Sequence, residues 1–234
     1  MNHRQDLPYR VIAGVTPWKS RWVVVSAKVI GATVAPEPPR LFTSFADVLD
    51  ERPSFEALVV NSPVGYPDVS AHWPRTCDRE ARALLGRRGI AVRYAPVREA
   101  LNAIAASPDA HLDAVTAWLL PRYREVAVAM SPYRQRVVFE GNPELSFYQL
   151  NDDQPLRWSK RLETGQVERR LALERRLQGV GTILDVDLEG VPQRHLLDAA
   201  ALMWSARRVL VHAAKRLPAD PEWDSEGLRM ELVY

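Results

Sequence analysis

Between Val137 and Arg170 the chain reads VVFEGNPELSFYQLNDDQPLRWSKRLETGQVERR, which joins two carboxylates, a proline-set turn and a basic helix in one unit. Glu140 stands at the end of a strand pattern, and Glu144 falls in the first turn of a helix opened by Pro143. Two acids so placed can converge on a metal ion or on a donor from a ligand. The same residues also suit a plainer role, with Glu144 complementing the helix dipole and Glu140 paired with an arginine. Asp198 lies within the apolar run LLDAAAL of a later helix, where a lone charge is costly, so it needs a partner or a ligand.

Lys160 and Arg169 lie before and within the charged helix 162–177 and are the candidates for holding phosphates. Glu163, Glu168 and Glu174 are interleaved along it, so Arg170, Arg175 and Arg176 look like an ordinary solvated face. The apolar strand patterns Val11–Val15 and Ala57–Val60 end on the uncharged Thr16 and Asn61, each able to offer one neutral oxygen to a site. Cys77 has no neighbouring base and reads as a structural thiol. Asp78 reads as a charge favourable to the start of its helix. His72, His111, His195 and His212 lack the three- or four-residue spacing of zinc ligands. Trp18 and Trp22 flank Lys19 and Arg21, an order that can stack bases beside phosphate contacts or cover a sheet face; Trp22 and Trp204 suit the core.

The elements that must position these groups follow from periodicity. Val11–Val15 and Arg21–Val29 form a hairpin across PWKS, Gly31–Val34 offers a third strand, and Ser44 caps a short helix reaching Glu51. Leu58–Val60 is a buried strand ended by Asn61-Ser62-Pro63. Helical patterns follow over 78–85, 97–106 and 112–130, the last broken at Pro121. Residues 136–140 alternate as a fifth strand, 194–216 form a long helix with an apolar face, and LPADPEWDSEGLRMELVY reads as a loop and a short strand. The order is that of an α/β fold with the first and fourth strands central.

With 234 residues and 47% hydrophobic content, the chain can bury a full core. The 31 basic and 29 acidic side chains leave a net charge of +2, so any basic surface is local. One cysteine excludes an internal disulfide framework and suits a reducing compartment. The opening MNHRQDLPYR has no apolar signal core, and no apolar run approaches the ~20 residues that span a bilayer. The expectation is a cytoplasmic protein with no membrane partner.

Taken in order, GVTPWKSRWVV, VVNSPVGYPD, RTCDREARALLG, LPRYREV, FEGNPELSFYQLN, SKRLETGQVERR, LLDAAALMWSARR and GLRMELVY resemble a family of predicted RNase H-like nucleases classed as a domain of unknown function, family 429. The resemblance implies an α/β fold: a mixed sheet of three antiparallel strands extended by parallel ones and flanked by helices. It implies one domain over residues 1–234 with a helical insert at about 77–130. It also implies a site on Glu140, Glu144 and Asp198, with Glu140 and Asp198 as ligands of Mg2+ or Mn2+, and Lys160, Arg169, Thr16 and Asn61 lining it.

The departures from the family pattern bear on activity. Where the family carries Gly-Val-Asp this chain has Gly14-Val15-Thr16, and where it carries Asp before Pro-Ile/Val-Gly this chain has Asn61. Asn142 replaces a histidine, and Arg194 and His195 replace a pair of aspartates. Nucleases of this fold work with two divalent ions about 4 Å apart, held by carboxylates largely through charge. Thr16 and Asn61 supply no charge, and an inward Arg194 would repel a divalent ion. The first expectation is therefore a degenerate member that binds nucleic acid or a protein, with weak or no metal-dependent hydrolysis. The rival is an active phosphodiester hydrolase using Glu140, Glu144 and Asp198 with Mg2+ or Mn2+. A small-molecule site is a third class, for which Gly179-Val180-Gly181 is too short a phosphate-loop signal.

Overall fold

Val15 to Val23 turns the chain back on itself in the computed structural model, which describes residues 7–102 and 113–234. β1 (Arg10–Trp18) and β2 (Arg21–Ile30) pair antiparallel across a tight turn in which Lys19 takes a φ of 52°. β3 (Thr33–Pro36) and the three-residue β4 (Arg40–Phe42) both pair with β2, β4 being a strand that the sequence patterns do not announce. α1 (Phe45–Leu49) begins with the expected Ser44 cap, completed as a capping box by Asp47. β5 (Ala57–Val60) and β6 (Val138–Glu140) then add in parallel, giving the order β3-β2-β1-β5-β6. Antiparallel strands extended by two parallel ones form the mixed sheet that the sequence led one to expect.

Alternation along the strands defines two cores. Ile12, Val59 and Phe139 face one side and pack with Leu196–Met203 of α8 (Gln193–Leu210). Val15, Val60 and Val138 face the other side and pack with Phe45, Val64 and Val126. Trp204 belongs to the first core and Trp22 to the second, where its indole N–H donates to Glu125 at 2.7 Å.

Between β5 and β6 lie α2 (Thr76–Leu85), α3 (Arg98–Asn102) and α4 (Ala114–Ala129). The rest of the helix expected over 97–106, together with His111 and Leu112, lies outside the described residues, as do residues 1–6 of the opening segment. Pro121 does not break α4: one backbone hydrogen bond is lost, while Leu120, Tyr123 and Val126 pack the helix on both sides of it. α5 (Pro143–Leu150), α6 (Glu163–Glu174) and α7 (Val180–Leu184) lead to α8.

The C-terminal region departs from its sequence pattern. α8 stops at Leu210, where the chain turns through His212 at a φ of 57°, and Arg216–Trp223 is a strand, β7, rather than helix end and loop. β7 pairs with β8 (Arg229–Val233) around an irregularity between Leu217 and Glu222, and two prolines in that stretch hide its strand pattern. Among the described residues no helix is long and apolar enough to cross a membrane.

Candidate functional site

The parallel strands β1, β5 and β6 point their carboxyl ends the same way, which is where ligands collect in sheets of this kind. Thr16 and Asn61 meet there, the Asn61 Nδ2 donating to the buried Thr16 Oγ1 at 3.3 Å. Thr16 shares the face of Ile12 and Gly14, so it lies toward α8.

Glu140 also reaches this end of the sheet, but on the opposite side. It alternates with Phe139 and so shares the face of Val138. Its carboxylate accepts the backbone N–H of Val64 at 2.8 Å and two hydrogen bonds from Arg75, at 2.6 and 2.8 Å. Arg75 uses its whole fork: Nε and Nη2 donate to Asp78 at 2.9 and 2.7 Å, and Nη1 donates to the Gly65 carbonyl at 2.7 Å as well as to Glu140. Asp78 in addition accepts the Ala95 N–H at 3.1 Å. Asp78 stands in the first turn of α2, as expected, and is in addition a buried member of an ion network, in which Arg75 is the residue that sequence reasoning passed over. The spacing Arg75-x-x-Asp78 was its only signal. Burial pushes the Glu140 carboxyl up, and Arg75 opposes that push. Cys77 is buried beside the network with its thiol pushed well above the usual range by desolvation, in keeping with a structural role.

Glu144 and Asp198 lie on the α8 side and feel each other electrostatically. Asn142 caps α5, accepting from the Glu144 N–H at 2.9 Å. The Glu144 Oε1 receives Arg169 Nη2 at 2.6 Å and Arg88 Nη2 at 3.1 Å. Arg88 is a second partner that the sequence did not signal. Arg169, expected at a phosphate, is fully enclosed: its guanidinium donates to Glu144 and to the carbonyls of Trp158 and Gly165, at 3.0 and 2.9 Å. As folded, it presents no open edge to a strand in solvent. Lys160 caps Asp198 in a direct ion pair and keeps 31% of its side chain exposed. Burial pushes the Asp198 carboxyl up, opposed by Lys160, and its Oδ1 has no partner.

His195, three residues before Asp198 on α8, hydrogen-bonds the backbone at Pro17 and leaves Nδ1 without a partner. Burial, then the charges of Lys160 and Arg194, lower its pKa to about 4 from 6.5. Arg194 thus stands near enough for its charge to act on His195. The sign for stability follows from linkage. A base whose folded pKa lies below its unfolded value resists protonation in the native state, so its contribution is intact above about pH 6.5 and is lost as pH falls toward 4. The full loss is about 3 kcal/mol for that shift. Thermal midpoints measured from pH 7.5 to 4.5 should fall less for His195→Phe than for the wild type; parallel curves would exclude this source.

A pair of divalent ions does not fit this arrangement. Each of the three candidate acids, Glu140 and Asp198 as expected metal ligands and Glu144 beside them, is already matched by a protein cation: Glu140 by Arg75, Glu144 by Arg169 and Arg88, and Asp198 by Lys160. Glu140 is also separated from Asp198 by the sheet. Among the described residues no group of three or more His, Cys, Asp or Glu side chains is placed to hold a metal ion.

The family model described as Protein of unknown function (DUF429) matches residues 14–223. Among solved structures, the Thermus thermophilus RuvC structure is 17% identical with a TM-score of 0.41, over 88% of this chain and 98% of that one. T. thermophilus RuvC in complex with Holliday junction substrate is 16% identical with a TM-score of 0.40, over the same shares. No curated protein matches.

Proposed function

The chain belongs to the family described as Protein of unknown function (DUF429), and from that premise we propose that it binds a nucleic-acid strand at the carboxyl ends of β1, β5 and β6 without hydrolysing it through metal ions. The observation that carries this reading is the pairing of Glu140, Glu144 and Asp198 with Arg75, Arg169 and Lys160. A carboxylate already neutralised at hydrogen-bond distance has little charge left to retain Mg2+ or Mn2+. The active-hydrolase alternative needs Glu140, Glu144 and Asp198 to converge, whereas Glu140 faces away from the other two.

A strand finds its counter-charges around the same opening. Lys19 lies over the Trp18 ring at 4.7 Å and Arg157 over the Trp158 ring at 4.9 Å. The Arg21–Glu189 contact ties the Trp18 hairpin to the loop that leads into α8, and the Lys160–Asp198 pair ties the Trp158 loop to α8. Aromatic faces beside cations stack bases and meet phosphates with little sequence preference.

Fluorescence anisotropy with labelled single-stranded RNA and DNA should give saturable binding that weakens steeply between 50 and 200 mM salt. Incubation with Mg2+ or Mn2+ should leave the strands intact. Cleavage that disappears in Asp198→Asn would make the protein a hydrolase after all. Binding to neither polymer would leave a protein partner as the better reading.

A further inference from the structure

The amino ends of β1 and β5, at the other end of the sheet from the strand opening, border a cleft of about 300 Å³, a volume at the lower bound of small-ligand sites. Its floor is apolar: Val11, at the start of β1, and Phe55, just before β5, are both buried. Val11 stands opposite Lys28 on β2 and Val24 opposite Arg40 on β4, so the two cations share the sheet face of Val11 and line the cleft beside it. Each is held between a ring and a carboxylate. Lys28 lies 5.2 Å from the Tyr9 ring centroid and 3.0 Å from Glu37, and Arg40 lies 5.3 Å from the Phe42 ring centroid and 2.7 Å from Glu51. These pairs place the charges but bind them weakly, since their side chains are 22–42% exposed and an entering anion can replace the glutamate at little cost. Arg52, the third cation of the lining, has no carboxylate partner among the described residues. Its Nη1 donates to the carbonyls of Asp50 and Glu51, both at 2.8 Å, which fixes the guanidinium at the rim.

We infer that this cleft binds a small organic anion built on a planar ring, with the charge on Arg52 and the ring over Val11 and Phe55. Three cations against two carboxylates select a negative ligand, and a guanidinium suits a carboxylate or a phosphate through paired charge-assisted hydrogen bonds. The rings of Tyr9, Pro38 and Pro53 complete the lining, and a flat apolar body covers such faces better than a flexible chain does. An aromatic carboxylate and a nucleoside monophosphate share this chemistry. The site is separate from the strand opening, so neither assignment depends on the other.

Calorimetry with adenosine monophosphate and with indole-3-acetate should show one saturable site for at least one of them. Tryptamine, the same indole with a positive charge, should give none. Arg52→Ala changes an exposed residue outside the core, and it should weaken the site by at least about tenfold with the circular dichroism spectrum unchanged. Lys19→Ala, at the strand opening, should leave the affinity as it was. Binding of the nucleotide alone assigns the cleft to a nucleoside monophosphate, and binding of the indole acid alone assigns it to an aromatic carboxylate. The inference is overturned if neither anion binds, if tryptamine binds as well as they do, or if Arg52→Ala binds them unchanged. Loss in Lys19→Ala instead would move the anion to the strand opening and also overturn it. An Arg52-dependent site in a protein that binds no RNA or DNA removes the strand reading and keeps the cleft.

Discussion

Gly14→Ala should cost at least about 3 kcal/mol and leave little folded protein at 37 °C. A Cβ built on Gly14 would lie 2.0 Å from the Ala199 carbonyl oxygen, 2.2 Å from the Met203 nitrogen and 2.7 Å from the Leu202 carbonyl carbon. All three are backbone atoms of α8, so no side-chain rotation relieves the clash. Accommodation requires the helix to move away from β1, the central strand, and to open the core in which Leu197, Ala199, Leu202 and Met203 are buried. The same movement would lift His195 from Pro17 and shift Asp198 with it, so any protein that folds should bind ligand poorly. Urea midpoints for Gly14→Ala and for the nearby surface change Lys19→Ala, compared with wild type, provide the measurement. A loss at Gly14 under 1 kcal/mol would mean that α8 is not seated on the strand as described.

How much of this was readable in the chain differs by element. Strands β1, β2 and β5 were legible because they are apolar and β-branched with sharp polar ends, and the cap at Ser44 because its chemistry is local. β7 was not, since its prolines and acids pattern as a loop and only pairing with β8 makes it a strand. The acids Glu140, Glu144 and Asp198 were found by type and position, and each proved buried. Their partners were not found. Arg75 lies 65 residues from Glu140 along the chain, and Arg88 pairs with Glu144 from a 3-10 turn after α2. Pairings at such separations are set by the crossover topology, which periodicity does not encode. Even the side of the sheet taken by Glu140 depended on the register of β6 against β5. Val60 stands opposite Glu140 and Leu58 opposite Val138, and that register gives Glu140 the face opposite to α8.

Arg75→Met should destabilise the protein by about 3–5 kcal/mol, because it strips the cation from two buried carboxylates at once. In a protein of this size that corresponds to a melting temperature lower by roughly 10 °C. Methionine fills much of the arginine volume, so the loss reports charge rather than a cavity. Asp78 and Glu140 would then face each other across the site of the missing guanidinium, and the cheapest relief is to protonate one of them. The pH dependence follows. With its folded pKa pushed above the unfolded one, the carboxyl penalises folding above that range and is relieved as pH falls, so the stability gap between variant and wild type should narrow from pH 8 to pH 5. Adding Glu140→Gln to Arg75→Met should recover part of the loss, and a double-mutant cycle would give the coupling directly. A gap that stays constant with pH, together with no coupling, would show that the network is not held by charge. The same experiment tests why this end of the sheet is unsuited to metal. If Arg75 only neutralised an acid otherwise ready to bind, freeing Glu140 should create Mn2+ affinity. Because the strand phase sends Glu140 to the far side of the sheet from Asp198, Arg75→Met is expected to lose stability and gain no metal site.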